Sequence, residues 1–114
     1  MEMTGWDFTA DLLVVGSGAG AMTAALVAKR EGLDALVVEK TEFFGGTSAF
    51  SGGGVWVPNN PLMAEAGFCD SLEKARAYMD ATVGDRVPAA RQEAYLAKAP
   101  EMVAYMLRHS HLQL

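Results

Sequence analysis

Residues 11 to 39 constrain this chain most, because an apolar run, a glycine-rich bend, an alanine-rich segment and a second apolar run follow one another and end in an acid. Leu12 to Val15 has no polar position, the pattern of a parallel strand buried on both faces rather than of a strand with one wet face. The bend that follows, Gly16-Ser17-Gly18-Ala19-Gly20-Ala21, places glycines where the chain must turn sharply and where its backbone must lie close to a pyrophosphate. A helix starting there offers unpaired N–H groups and the positive end of its dipole to phosphate, with no cationic side chain required. Ala21 takes the third glycine's place, Ala24, Ala25 and Ala28 keep one helix face small, and Gly32 suits the C′ position.

The second apolar run, Ala35 to Val38, ends at Glu39. A carboxylate at that strand tip accepts hydrogen bonds from both hydroxyls of an adenosine ribose and repels a ribose 2′-phosphate, so the pattern favours FAD or NAD over NADP. Strand, glycines, helix, strand and acid in register have few explanations other than a dinucleotide pocket, and they set the fold class as α/β with a β-α-β start. Fourteen acidic against nine basic residues, net charge −5, disfavour nucleic acid and anionic membrane surfaces. Leu12 to Ala28 carries no charge, yet its glycines and the flanking Glu2, Asp7 and Asp11 argue against a signal peptide or membrane span. Cys69 is the single cysteine, so no internal disulfide forms, and a cytoplasmic protein without an anchor is expected. His109 and His111 stand two apart with no cysteine or carboxylate cluster, a pattern of exposed histidines rather than of a metal site.

Lys40 to Pro58, KTEFFGGTSAFSGGGVWVP, is the second informative segment. Gly45, Gly46 and the triplet Gly52 to Gly54 permit positive φ and let amides face a ligand, while Thr47, Ser48 and Ser51 add hydroxyls. Phe43, Phe44, Phe50, Val55 and Trp56 are too apolar for a solvated tether. A loop of this kind suits the remainder of a long cofactor, and a flavin, whose ring reaches away from the pyrophosphate, needs it where a nicotinamide dinucleotide does not.

The order DLLVVGSGAGAMTAALVA, VVEK, FFGGTSAFSGGGVWVP, then AGFCDSLEKARAYMDATVGD and PAARQEAYLAKAPEMVAYML, resembles the N-terminal flavin-binding segment of the fumarate reductase and succinate dehydrogenase flavoprotein superfamily, above all its 3-ketosteroid Δ1-dehydrogenases. The resemblance implies an incomplete Rossmann-like FAD-binding domain. In it Gly16, Ser17, Gly18, Ala19, Gly20 and Ala21 line the pyrophosphate, Glu39 holds the adenosine ribose, and Lys40, Gly46, Thr47, Ser48, Ser51, Gly52 and Gly53 contact the rest of the FAD. It further implies 1,2-desaturation of a 3-ketosteroid by hydride transfer to FAD, with a small-molecule substrate, no metal, and tyrosine catalysts that come after residue 114. A fumarate reductase-like or 3-ketosteroid Δ4-dehydrogenase flavoprotein, or a non-catalytic nucleotide-binding fragment, are the competing readings.

Residues 1–58 are expected to form the β-α-β unit and its glycine-rich loop, and residues 59–114 a mostly helical part, with the substrate domain absent. Ser71 suits an N-cap, and Leu72, Ala75, Met79 and Thr82 recur at helical spacing before Gly84. Pro88 and Pro100 each suit a first helical position, and Val103, Met106 and Leu107 mark an apolar stripe on a last helix. Met79, Met102 and Met106 read as core filler, and Tyr78, Tyr95 and Tyr105 as packing residues. With only two parallel strands in view, the chain reads as truncated.

Overall fold

Leu12–Val15 forms strand β1, Ala19–Arg30 helix α1 and Ala35–Val38 strand β2, at the positions the apolar runs predict. The structure is a computed structural model that describes residues 5–114; Glu2, one of the N-terminal acids noted above, lies outside the described residues. The strands are parallel with Leu12 opposite Ala35 and Val15 opposite Val38. Their entry is fixed by Asp11, whose carboxylate accepts from the Asp34 N–H at 2.8 Å. Helix α1 packs on both strands and buries Ala28, and Gly32, at φ +82°, ends it as a left-handed C′ residue with its N–H bonded to the Lys29 carbonyl.

Burial on both strand faces does not hold. Val14 is buried, but Leu13 is 57% and Val15 78% exposed. The reason is geometric: α1 covers one face of the two-stranded sheet, and no described element covers the other.

The chain divides into two compact units, the first running through Gly54 and the second Val55–Leu114. Within the first, the expected loop after β2 contains one helical turn, α2, Gly46–Phe50. Gly45, at φ +109° and ψ −17°, reverses the chain ahead of it, after which Thr47, Ser48 and Ala49 meet no obstacle to winding.

The second unit is helical: α3 Pro61–Glu65, α4 Leu72–Thr82, a 3₁₀ turn Gly84–Arg86 and α5 Ala89–His109. Asn60 caps α3 by accepting from the Leu62 and Met63 N–H groups, with Pro61 at the first helical position, and Ser71 caps α4 by accepting from the Lys74 N–H. Val57, Ala99 and Val103 form the core, with Leu107 packed against it. Arg76 on α4 grips Glu93 on α5 through two bonds of 2.6 and 2.7 Å. Trp56 lies between Tyr78 and Tyr95, at ring-centroid distances of 5.2 and 6.1 Å.

Three expectations are corrected here. Pro88 is the residue before α5 rather than its first, and Pro100 lies inside α5. The helix continues through Pro100 because Leu96, Ala99 and Val103 bury on one stripe. Full burial of Leu96 and Val103 contributes roughly 1.5–3 kcal/mol each, which together is enough to offset the roughly 3 kcal/mol that an interior proline costs. Replacing Pro100 with alanine restores a bond to the Leu96 carbonyl and is expected to stabilise the second unit by about 1–3 kcal/mol; a lowered unfolding midpoint contradicts this. Met102 is 40% exposed and is not core filler, whereas Met79 and Met106 are half-buried. His109 is half-buried against Tyr105, with ring centroids 4.6 Å apart; His111 alone of the pair is exposed.

Candidate dinucleotide site

Ligands of open α/β sheets bind outside the carboxyl ends of the strands, and that is where this chain gathers its polar groups. A groove of about 330 Å³, lined by Val15, Gly16, Val38, Glu39 and Lys40, opens at the ends of β1 and β2. Beside it lies a second, of about 380 Å³, which shares Glu39 and Lys40 and adds Thr41, Gly46, Ala49 and the exposed Phe43, Phe44 and Phe50.

The first glycine bend supplies the floor. Gly16 sits at φ +95°, a conformation closed to most side chains, and its N–H donates to the Val38 carbonyl at 2.7 Å. A methyl added at Gly16 or Gly20 meets nothing within 4 Å, so both border open space. Gly18 caps α1 without any side-chain bond from its own residue, and no acid stands in the first turn. The cap comes from elsewhere: the Ser48 hydroxyl accepts from the Ala19 N–H at 3.1 Å. The Met22 N–H bonds the Gly18 carbonyl, which leaves the Gly20 and Ala21 amides of the first turn to face a ligand.

Two further contacts bring the second glycine bend onto the first. A methyl on Gly46 would stand 3.5 Å from the Gly18 backbone, and the Ser17 hydroxyl accepts from the Gly45 N–H at 2.8 Å. That hydroxyl, on a residue only 3% exposed, donates in turn to Glu39 Oε2 at 2.6 Å. Glu39 Oε1 accepts from the Lys40 and Thr41 N–H groups at 2.9 and 3.2 Å, while the single Thr41 hydroxyl proton goes to the Phe43 carbonyl at 2.7 Å. Oε1 is thereby filled, and the acceptor capacity left for a ribose hydroxyl is on Oε2. The hydrogen bond from Ser17, followed by those from the Thr41 and Lys40 amides, holds the Glu39 carboxyl below the usual carboxylate range. Because the folded value is the lower one, these bonds are in place above the ordinary range and are lost as pH falls through the depressed value.

Of the residues singled out in the sequence, the structure joins Gly16, Ser17, Gly18, Ala19, Glu39, Gly46 and Ser48 by direct contact or a shared groove, with Lys40 at the rim. Gly20 and Ala21 follow on α1. Ser51 donates to the Ser48 carbonyl at 2.8 Å and accepts from the Gly53 N–H at 3.1 Å, closing α2. Thr47, Gly52 and Gly53 are exposed and line neither groove. Sequence reasoning missed Thr41, and the Gly45 amide, expected to face a ligand, donates to the Ser17 hydroxyl instead. The one available signal was the register of Thr41, two residues past a strand-tip acid, where a carboxylate commonly turns back onto backbone N–H groups.

Among the described residues no group of three or more His, Cys, Asp or Glu side chains is placed to hold a metal ion, and no helix is long and apolar enough to cross a membrane.

Residues 11–114 match the family described as FAD binding domain. The 3-oxosteroid 1-dehydrogenase of Mycolicibacterium smegmatis is 48% identical over 112 residues, which are 98% of this chain and 19% of the relative. The crystal structure of 3-ketosteroid delta1-dehydrogenase from Sterolibacterium denitrificans, in complex with 1,4-androstadiene-3,17-dione, is 50% identical with a TM-score of 0.75 and covers 85% of this chain and 17% of that one. That of 3-ketosteroid-delta4-(5alpha)-dehydrogenase from Rhodococcus jostii RHA1 is 31% identical with a TM-score of 0.81, covering 94% and 22%. The chain therefore spans about a fifth of the length of these relatives.

Proposed function

The chain belongs to the FAD binding domain family, and on that premise we propose that it is the FAD-holding N-terminal part of a flavin-dependent oxidoreductase that desaturates 3-ketosteroids between C1 and C2. The observation that carries this is the convergence of the two glycine bends on the Glu39 carboxylate, linked through Ser17 and Ser48. The residues present fit the cofactor. The free amides of the α1 first turn suit a pyrophosphate, Gly16 and Gly20 leave its path open, and Oε2 of Glu39 faces the role of ribose acceptor. Bound FAD supplies a two-electron acceptor for hydride.

Each residue then has a distinct task. Gly16, Gly18, Gly20 and Ala21 give phosphate access to the backbone, with Ser17 and Ala19 in the same bend, and Glu39 fixes the adenosine ribose. Lys40, Gly46, Thr47, Ser48, Ser51, Gly52 and Gly53 border the remainder of the cofactor. The 48–50% identity to Δ1-dehydrogenases, against 31% to the Δ4-enzyme, favours the 1,2-position, and the relatives named 3-oxosteroid 1-dehydrogenase support a 3-ketosteroid substrate. No catalytic residue is assigned in this chain: Tyr78 and Tyr95 pack on Trp56, and Tyr105 packs on His109. A single exposed thiol, Cys69, suits a reducing, cytoplasmic setting.

A graft tests the reading. Substituting this chain for the matching N-terminal stretch of the Mycolicibacterium smegmatis relative is expected to give a yellow protein with steroid-dependent reduction of a dye acceptor. The chain alone, supplied with FAD, is expected to show none above free flavin. A folded graft that retains no flavin overturns the proposal, and so does steroid turnover by the chain alone.

A further inference from the structure

We propose that Ser17 is a positioning residue for FAD: its hydroxyl, shared between the Gly45 amide and Glu39 Oε2, aims the carboxylate at the adenosine ribose and locks the second glycine bend against the first. The inference rests on the FAD reading above and deepens it.

A residue in the middle of a glycine-rich phosphate bend is ordinarily credited with facing phosphate. Ser17 does not face it. The residue is buried, and the one proton of its hydroxyl is committed to Glu39 at 2.6 Å while its oxygen accepts from Gly45 at 2.8 Å. Those two bonds join three separate segments: the turn after β1, the tip of β2, and the approach to α2. A serine hydroxyl offers one donor and can accept at the same time, which is what this junction requires. Alanine leaves a backbone N–H and a carboxylate oxygen without the partner that the buried Ser17 provides.

The groups around the carboxylate are all accounted for. Ser17 from the first bend and the Lys40 and Thr41 amides from the β2 tip bond it, and Lys40 also lines the groove. Since the Ser17 bond is the largest influence depressing the Glu39 titration, its removal has a readout that needs no cofactor.

The experiment is a double-mutant cycle on the full chain, pairing Ser17→Ala with Glu39→Gln, read by equilibrium binding of FAD and of ADP and by the carboxyl ¹³C titration of Glu39. Ser17→Ala is expected to raise the Glu39 midpoint and to weaken FAD and ADP to a similar degree, on the order of 10-fold. Added to Glu39→Gln it is expected to cause a clearly smaller loss than it does alone, because its bond to the carboxylate is already weakened while its bond to the Gly45 amide remains. Fully additive losses, or an unmoved Glu39 titration, overturn the proposal. Should the alanine variant not fold, Ser17→Cys keeps the shape but offers a weak donor, and the same rise in the midpoint is expected of it. A wild-type chain that binds neither FAD nor ADP overturns the FAD reading itself and this proposal with it, whereas FAD retention with additive losses removes this proposal alone.

Discussion

Replacing Glu39 with arginine is expected to weaken FAD retention by on the order of 100-fold, the largest effect of any single change in this chain. Two causes act in the same direction. The acceptor for the ribose hydroxyl disappears, since a guanidinium has donors only. In addition, the Ser17 hydroxyl and the Lys40 and Thr41 amides, which now converge on this carboxylate at 2.6 to 3.2 Å, lose their common acceptor. The arginine also reverses the charge at the strand tip, so a nucleotide bearing a 2′-phosphate is expected to gain relative to FAD. Circular dichroism is expected to stay close to wild type, because α1 and the two strands pack through Val14 and Ala28, away from the substituted side chain. Binding of FAD by this variant at wild-type strength contradicts the role assigned to Glu39.

The second large effect is expected at Gly45. Alanine there must adopt φ +109°, and its methyl would stand 2.6 Å from that of Ala49, closer than real carbon atoms approach. A left-handed conformation forced on a residue with a side chain costs on the order of 1–3 kcal/mol before the clash is counted. The strain has an easy exit: Gly46–Phe50 is a single turn of helix with no buried residue to hold it. Gly45→Ala is therefore expected to release α2, with faster hydrogen exchange across residues 46–50 and loss of the Ser48 cap on α1, and FAD binding falls with it. Exchange in α4 and α5 should not change. Gly54→Ala is the control, since its added methyl meets nothing within 4 Å and its φ is not left-handed. Equal effects of the two substitutions contradict this account of the second bend.

What the sequence disclosed was local. Leu12 to Val15 and Ala35 to Val38 are uninterrupted apolar runs with punctuation at both ends, so both strands were legible to the residue, as were the C′ role of Gly32 and the N-cap role of Ser71. Pro100 misled because a proline's preference for a helix start is a local cost of a few kcal/mol, while the burial of Leu96 and Val103 that offsets it is tertiary. Strand burial misled in the opposite sense. An apolar run states what a strand is built to touch, and among the described residues only the α1 side of β1 is covered by another element.

The site followed the same division. Glycine bends and an acidic strand tip are read from residue types and spacing, and the structure brings them to one place. Their mutual bonds were not legible, because the Ser17 contacts join residues 22 and 28 positions apart. Nothing in the pattern GSGAGA distinguishes a hydroxyl that faces phosphate from one that turns inward to a carboxylate.

The most direct test of the central claim, that two glycine bends and the Glu39 carboxylate together enclose FAD, is equilibrium binding of FAD to the full chain in competition with ADP and with adenosine 2′,5′-bisphosphate. The account predicts retained yellow absorbance that ADP displaces competitively and the 2′-phosphorylated nucleotide displaces far less well. A folded chain that retains no flavin, or whose flavin is indifferent to ADP, contradicts it.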